Sequence, residues 1–159
     1  MQKREYVLEK QEKNHYCMPA VIHAILKRRN LLEEGENQDK LAEKLKCTPE
    51  KGAFFGLDLQ KFLVERKIYF LNISYKEVML KKPELIINQA FEHDEDLILG
   101  CLNGGGLGHV RLVTGYEWPN LKTLDPKDAE PYGVSLDKIY QKMWNDKFGY
   151  FCLIGKLEK

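Results

Sequence analysis

The sequence predicts an α+β fold, with an N-terminal helical layer packed on a C-terminal antiparallel sheet. Three observations lead there. Apolar residues recur at helical spacing through the first sixty or so positions. From Ile68 onward, short β-branched and aromatic runs separated by turn residues take over. No internal repeat, low-complexity tract or linker interrupts the chain, so residues 1–159 read as one domain, within the usual domain size. Helices first and strands afterwards are the pattern of an α+β domain.

The elements follow in order. "CMPAVIHAILKRR" puts Ala20, Val21, Ala24 and Ile25 at helical spacing and ends in basic residues that suit a helix C-terminus. Pro19 fits the first turn, so this helix is expected to begin at about Cys17. Asn37 is placed to cap a second helix over "NQDKLAEKLK", and "GLDLQKFLVERK" carries a third. "IYFLNISY" reads as a strand and Pro83 opens a helix through about Phe91. "DLILGCL", "HVRLVTGYE" and "LKTLD" read as consecutive strands. A helix capped by Ser135 and a closing strand, "FGYFCLIGKL", complete the chain.

Composition narrows the function classes. Hydrophobic residues make up 43% of the chain, enough for a packed core and against wholesale disorder. Twenty-five Lys and Arg balance 24 Asp and Glu, so no field of one sign points to nucleic acid or an acidic membrane. The N-terminus has no signal-peptide apolar core and no run approaches membrane-spanning length, which gives the expectation of a cytoplasmic protein with no membrane partner. Four scattered cysteines without a C-x-x-C pair fit reduced thiols. Nothing in the pattern specifies an oligomeric state.

Cys17 is the first residue with chemistry to offer. A thiol at a helix N-terminus faces unpaired N–H groups and the positive end of the helix dipole, which favour its thiolate. Of four histidines, His23 falls within the helix, His93 lies in the acidic "EHDED" turn and His15 is too near Cys17 in sequence to face it across a cleft. His109 remains. It opens a strand behind "NGGGLG", whose glycines leave backbone open to an extended substrate. Asp125 is the candidate to orient His109, on the expectation that "HVRLVTGYEWPNLKTLDP" forms a hairpin turning at Trp118-Pro119-Asn120. The even separation of His109 and Asp125 is taken to place both on one face. Asp125 also suits a turn with Pro126, and the two roles are compatible. An oxyanion needs preplaced donors; the Cys17 N–H is one, and the Gln11 amide, six residues upstream, is the second candidate.

Together "QEKNHYCMPA", "GHVRLVTGYE" and "LKTLDP" resemble the papain-like cysteine peptidases, closest to the bacteriocin-processing peptidase domains and their stand-alone relatives. The resemblance spans nearly the whole chain and implies a papain-like fold, with Cys17 as nucleophile, His109 as base, Asp125 as orienter and Gln11 as oxyanion donor. It implies a peptide or protein substrate and no cofactor; in departure from the exporter domains no transporter segment is attached, so no exporter partner is expected. One position departs from the pattern: relatives have glycine after the nucleophile, and this chain has Met18, bulky enough to crowd the cleft or change which acyl group fits.

The same residues would serve an acyltransferase, a transglutaminase-like enzyme or a deamidase, and a catalytically silent binding module keeps the fold without the chemistry. A metal site on His15 and Cys17 lacks paired ligand spacing, so no metal is expected. Cys101 and Cys152 are expected in the core, and Cys47 to be incidental.

Overall fold

A computed structural model describes residues 2–50, 52, 56–103 and 108–157. The N-terminal segment contributes β1 (Gln2–Lys3), and three helices follow: α1 (Cys17–Arg28), α2 (Gln38–Lys44) and α3 (Leu57–Glu65). Next come β2 (Ile68–Ser74), α4 (Tyr75–Leu80) and α5 (Pro83–Glu92). The chain then runs through β3 (Asp96–Leu102), β4 (Gly108–Glu117), β5 (Asn120–Asp125), β6 (Glu130–Ser135), α6 (Leu136–Asp146) and β7 (Tyr150–Lys156). The signals read from sequence act where expected. Asn37 Oδ1 accepts from the Lys40 N–H at 3.0 Å, and Pro83 occupies the first turn of α5. Ser135 stands at the N-cap position of α6 without a capping hydrogen bond.

The sheet is antiparallel, in the order β2-β7-β3-β4-β5-β6, with β1 paired to β4. The C-terminal strand therefore inserts between β2 and β3, so both of these strands pair with the chain's end rather than with each other. Three elements go beyond the sequence reading: β1, the short helix α4, and β6. The segment "EPYGVS" carries no apolar run, and as an edge strand it tolerates Pro131 and Gly133.

The sheet is covered on both faces, not one. On one face α1, α2 and α3 bury Val21, Ile25, Leu41 and Leu63 against Ile98, Val110, Leu112 and Cys152. On the other, α4, α5 and α6 bury Val78, Ile87 and Met143 against Leu97, Leu99, Val113 and Phe151. This explains the continuous apolar run of β3, whose first five residues are all buried, since a strand covered on both faces has no solvent side to keep polar. Met18 belongs to the first core, at 1% exposure. Its side chain therefore does not crowd the cleft, contrary to the sequence expectation, because at the second position of α1 it points into the helical layer.

Two charged clusters tie these layers together. Asp96, fully buried at the start of β3, accepts from Arg29 Nε at 2.5 Å, Arg28 Nη1 at 3.2 Å and the Tyr6 hydroxyl. Glu36, between α1 and α2, binds Arg66 Nη2 at 2.6 Å and Lys44 Nζ at 2.7 Å. Burial alone would raise the Glu36 pKa, but its Arg66 and Lys44 hydrogen bonds outweigh it and hold the carboxyl at about 2.

Gly100 makes room for an aromatic floor beside α1. It lies opposite Tyr150 of β7, and a Cβ there would sit 2.1 Å from the Tyr150 ring. Tyr150 packs with Cys17 against the first core and edge-on to Phe148, so the ring has little freedom to retreat. Gly100→Ala is expected to cost about 1–3 kcal/mol through this overpacking. A urea melt checks it, read as a lower midpoint at unchanged slope.

Candidate active site

Cys17 is the first residue of α1 and is half-buried; the residue before it, Tyr16, offers no capping side chain. First-turn N–H groups of a helix lack intrahelical partners, so the backbone around Cys17 keeps donors open to a ligand. His109 stands at the start of β4, next to the four residues 104–107 that lie outside the described structure. The role expected of those glycines lies there too.

The imidazole of His109 is held by a carboxylate. Its Nε2 donates to Asp125 Oδ1 at 2.7 Å, which leaves Nδ1 as the ring nitrogen available to the Cys17 thiol. Burial pulls the His109 pKa down, but side-chain hydrogen bonds to Cys17 and to Asp125 outweigh it and set it above the ordinary histidine value. The structure thus brings His109 and Asp125 together from β4 and β5, with the Cys17 side chain of α1 near enough to act on the His109 pKa.

Asp125 is buried and fully engaged. Oδ1 also accepts from the Lys127 N–H at 2.9 Å, closing a turn through Pro126, while Oδ2 pairs with Arg111 Nε at 3.1 Å. The orienting and turn-forming roles therefore coexist on one carboxylate. Arg111 had no place in the sequence reading. It was legible there as the residue two after His109, on the same face of β4.

The reason His109 and Asp125 share a face differs from the parity argument. The hairpin turns at Trp118-Pro119, joined by a cis peptide bond, and Asn120 already belongs to β5. Near the turn, opposed residues are Glu117 with Asn120 and Tyr116 with Leu121, both odd separations. In that register an even separation would put His109 and Asp125 on opposite faces. A bulge between Val113 and Gly115 shifts the pairing by one, so that Leu112 opposes Leu124 and Asp125 comes level with Arg111. Thr114, the extra residue, re-aims the far half of the hairpin.

Gln11 approaches the site differently from expectation. Its backbone N–H donates to the Pro126 carbonyl at 2.7 Å, anchoring the N-terminal segment beside the Asp125 turn. Its side-chain Nε2, however, donates to the carbonyls of Lys13 at 3.0 Å and Asn14 at 3.1 Å, which occupies both amide hydrogens, while Oε1 is buried without a partner. The amide holds its own loop in this conformation.

The remaining cysteines and histidines sort as follows. Cys152 is buried in the core, where burial drives its thiol pKa well up. Cys101 is only partly buried, opposite His109 on β3, and burial raises its thiol to about 11. Cys47 is not incidental, since its Sγ–H donates to the His15 carbonyl at 3.2 Å. Burial first, then the nearby Cys17, raises its thiol to about 11. His23 is buried in α1 and His93 is exposed beside Glu95. Among the described residues no group of His, Cys, Asp and Glu could hold a metal ion, and no helix is long and apolar enough to cross a membrane.

Neither a protein-family model nor a curated protein sequence matches the chain. Solved structures do. The double glycine motif protease of an AMS/PCAT transporter, in complex with its leader peptide, superposes with a TM-score of 0.66 at 11% identity, covering 96% of this chain and 91% of that one. The peptidase domain of Streptococcus ComA, a bi-functional ABC transporter of a quorum-sensing pathway, gives a TM-score of 0.66 at 18% identity and covers 96% and 99%. A Bacillus anthracis protein named as a C39-like peptidase gives 0.59 at 10% identity, covering 94% and 97%. Over nearly its full length, the chain has the mixed α and β architecture of C39 and bacteriocin-processing peptidase domains.

Proposed function

We propose that the protein is a thiol-dependent hydrolase that cleaves a peptide or amide bond through Cys17, His109 and Asp125. The observation that carries this reading is the His109 imidazole, which meets Asp125 Oδ1 at 2.7 Å and whose pKa is raised by the nearby Cys17 side chain as well as by Asp125. His109 Nδ1 takes the Cys17 proton and the resulting thiolate attacks the carbonyl carbon. The Cys17 N–H, at the open end of α1, meets the oxyanion. Collapse breaks the C–N bond as His109 returns its proton to the departing amine, leaving a thioester. Water, deprotonated by His109, then attacks the thioester, releasing the acid and the Cys17 thiol. Asp125 holds the ring and stabilises the imidazolium in both halves.

Gln11 joins as a second oxyanion donor when substrate draws one Nε2 hydrogen away from Lys13 or Asn14. A peptide substrate fits the fold likeness, since one similar structure holds a leader peptide. Acyl transfer and deamidation use the same residues and differ only in what resolves the thioester or which amide is attacked.

Thiol alkylation tests the chemistry before any substrate is known. Cys17 is expected to react with iodoacetamide at pH 6 at least tenfold faster than an ordinary exposed thiol, and to lose that advantage in His109→Ala. Equal rates would leave a silent binding module as the better reading. Incubation with a peptide library then separates the enzymes: cleavage fragments for a peptidase, a mass gain on an intact backbone for a transferase.

A further inference from the structure

A cavity of about 430 Å³ opens from the His109 and Asp125 pair, within the range of sites that take small ligands or single side chains. Leu99, Cys101, Val134 and Ile139 supply its apolar lining. Four cationic side chains, Arg111, Lys127, Lys138 and Lys142, line it as well, from β4, the turn after β5, and α6. That is an unusual lining for a chain with a net charge of only +1.

The negative charge available to these cations is small. Asp125 is the one carboxylate among the described lining residues, and both its oxygens are engaged, Oδ1 by His109 and Oδ2 by Arg111. Lys142 pairs with Asp146 at 2.9 Å. Lys127 and Lys138 make no ion pair among the described residues, and the Arg111 contact to Asp125 runs through Nε, with the guanidinium 5.6 Å from the centre of the Tyr132 ring. Excess cation around an apolar floor beside His109 and Asp125 suits a carboxylate on a short aliphatic stem. Arg111 supplies a planar guanidinium, and the two lysines supply compact point charges.

We propose that this cavity is a carboxylate-binding subsite, which gives the protein a preference for substrates with an acidic residue close to the bond that is cut. Its role in substrate choice rests on the peptidase reading above. Its capacity to bind does not, because it rests on lining charge alone. The carboxylate belongs either to a Glu or Asp side chain or to the free C-terminus of a short peptide.

The test uses the full-length Cys17→Ala protein and fluorescent decapeptides in pairs that carry Glu or Gln at each position in turn, with both ends blocked. A second arm leaves the C-terminus free in peptides without acidic side chains. The subsite predicts that peptides with Glu at one or two positions bind about five- to tenfold tighter than their Gln partners, an advantage that shrinks with added salt. Lys127→Glu combined with Lys138→Glu abolishes or reverses that selectivity ratio, while Lys61→Glu, on the opposite face of the sheet, leaves it in place. Tighter binding only in the free C-terminus arm identifies the terminal carboxylate as the occupant. No gain from Glu in any pair and none from a free C-terminus overturns the proposal, as does selectivity that survives the double reversal. Circular dichroism of each variant confirms its fold. Wild-type turnover is read separately: selective binding without cleavage removes the peptidase reading and leaves the subsite standing.

Discussion

Replacing Cys17 with alanine is expected to abolish peptide turnover, and His109→Ala to lower kcat/KM by at least about a thousandfold, since it removes both the base for the thiol and the acid for the leaving amine. The double variant should be no worse than Cys17→Ala alone, because the two groups act as one unit. Asp125→Asn is the more informative change. It keeps the size of the side chain and removes the charge that faces His109 Nε2 at 2.7 Å.

Asp125 is one of the causes that raise the His109 pKa, after burial, which lowers it, and the Cys17 hydrogen bond, which raises it. Removing that charge therefore lowers the His109 pKa. If the reactive form is a thiolate paired with imidazolium, activity is lost as pH rises through the His109 pKa. The alkaline limb of the kcat/KM profile in wild type then lies above the ordinary histidine range. In Asp125→Asn it moves to lower pH, with a fall in rate. An alkaline limb that stays in place shows that Asp125 acts on position alone. The same sign governs stability. His109 binds its proton more tightly folded than unfolded, so its contribution is complete below the ordinary histidine pKa and fades as pH rises through the folded one.

The second large effect is on the fold. Asp96→Ala is expected to cost about 3–5 kcal/mol, because it leaves the Arg28 and Arg29 guanidinium groups without the buried carboxylate they enclose. Arg29 keeps hydrogen bonds to the backbone carbonyls of Asp94 and Ile154, and Arg28 keeps Asp94, but Asp94 is largely exposed and screened. Tyr6 loses its acceptor as well. For a chain of this size the loss lowers Tm by about 10 °C or more. A urea melt should show the midpoint falling at constant slope. Asp96→Asn keeps the acceptor oxygen and should cost less than half as much. Equal costs for both would mean that the volume and hydrogen bonds matter and the charge does not.

Much of the fold is legible in local pattern. The periodicity of "CMPAVIHAILKRR" and the N-cap at Asn37 each act over one or two turns of chain, and α1 and α2 appear where those signals place them. The strands β3, β4 and β5 likewise follow runs of β-branched and apolar residues. β6 escapes such reading because an edge strand needs only one neighbour and can carry Pro131. α4 escapes it because six residues are too few to show a period.

What the sequence by itself determined is the identity and order of the chemical groups: a thiol at a helix start, one histidine at the head of a strand, an aspartate that ends the next strand. Those follow from residue type and near neighbours. Only the tertiary structure decided how they meet. The bulge at Thr114 reverses the parity that the two-residue turn would impose, and so brings Asp125 to the face of His109. Core packing turns Met18 away from the cleft, and the local loop turns the Gln11 amide onto Lys13 and Asn14. The charged cavity beside His109 is assembled from β4, the turn after β5, and α6, segments whose lysines look like ordinary surface residues when read singly. Register, side-chain direction and charge neighbourhood depend on contacts between residues far apart in the chain, and a local pattern does not carry them.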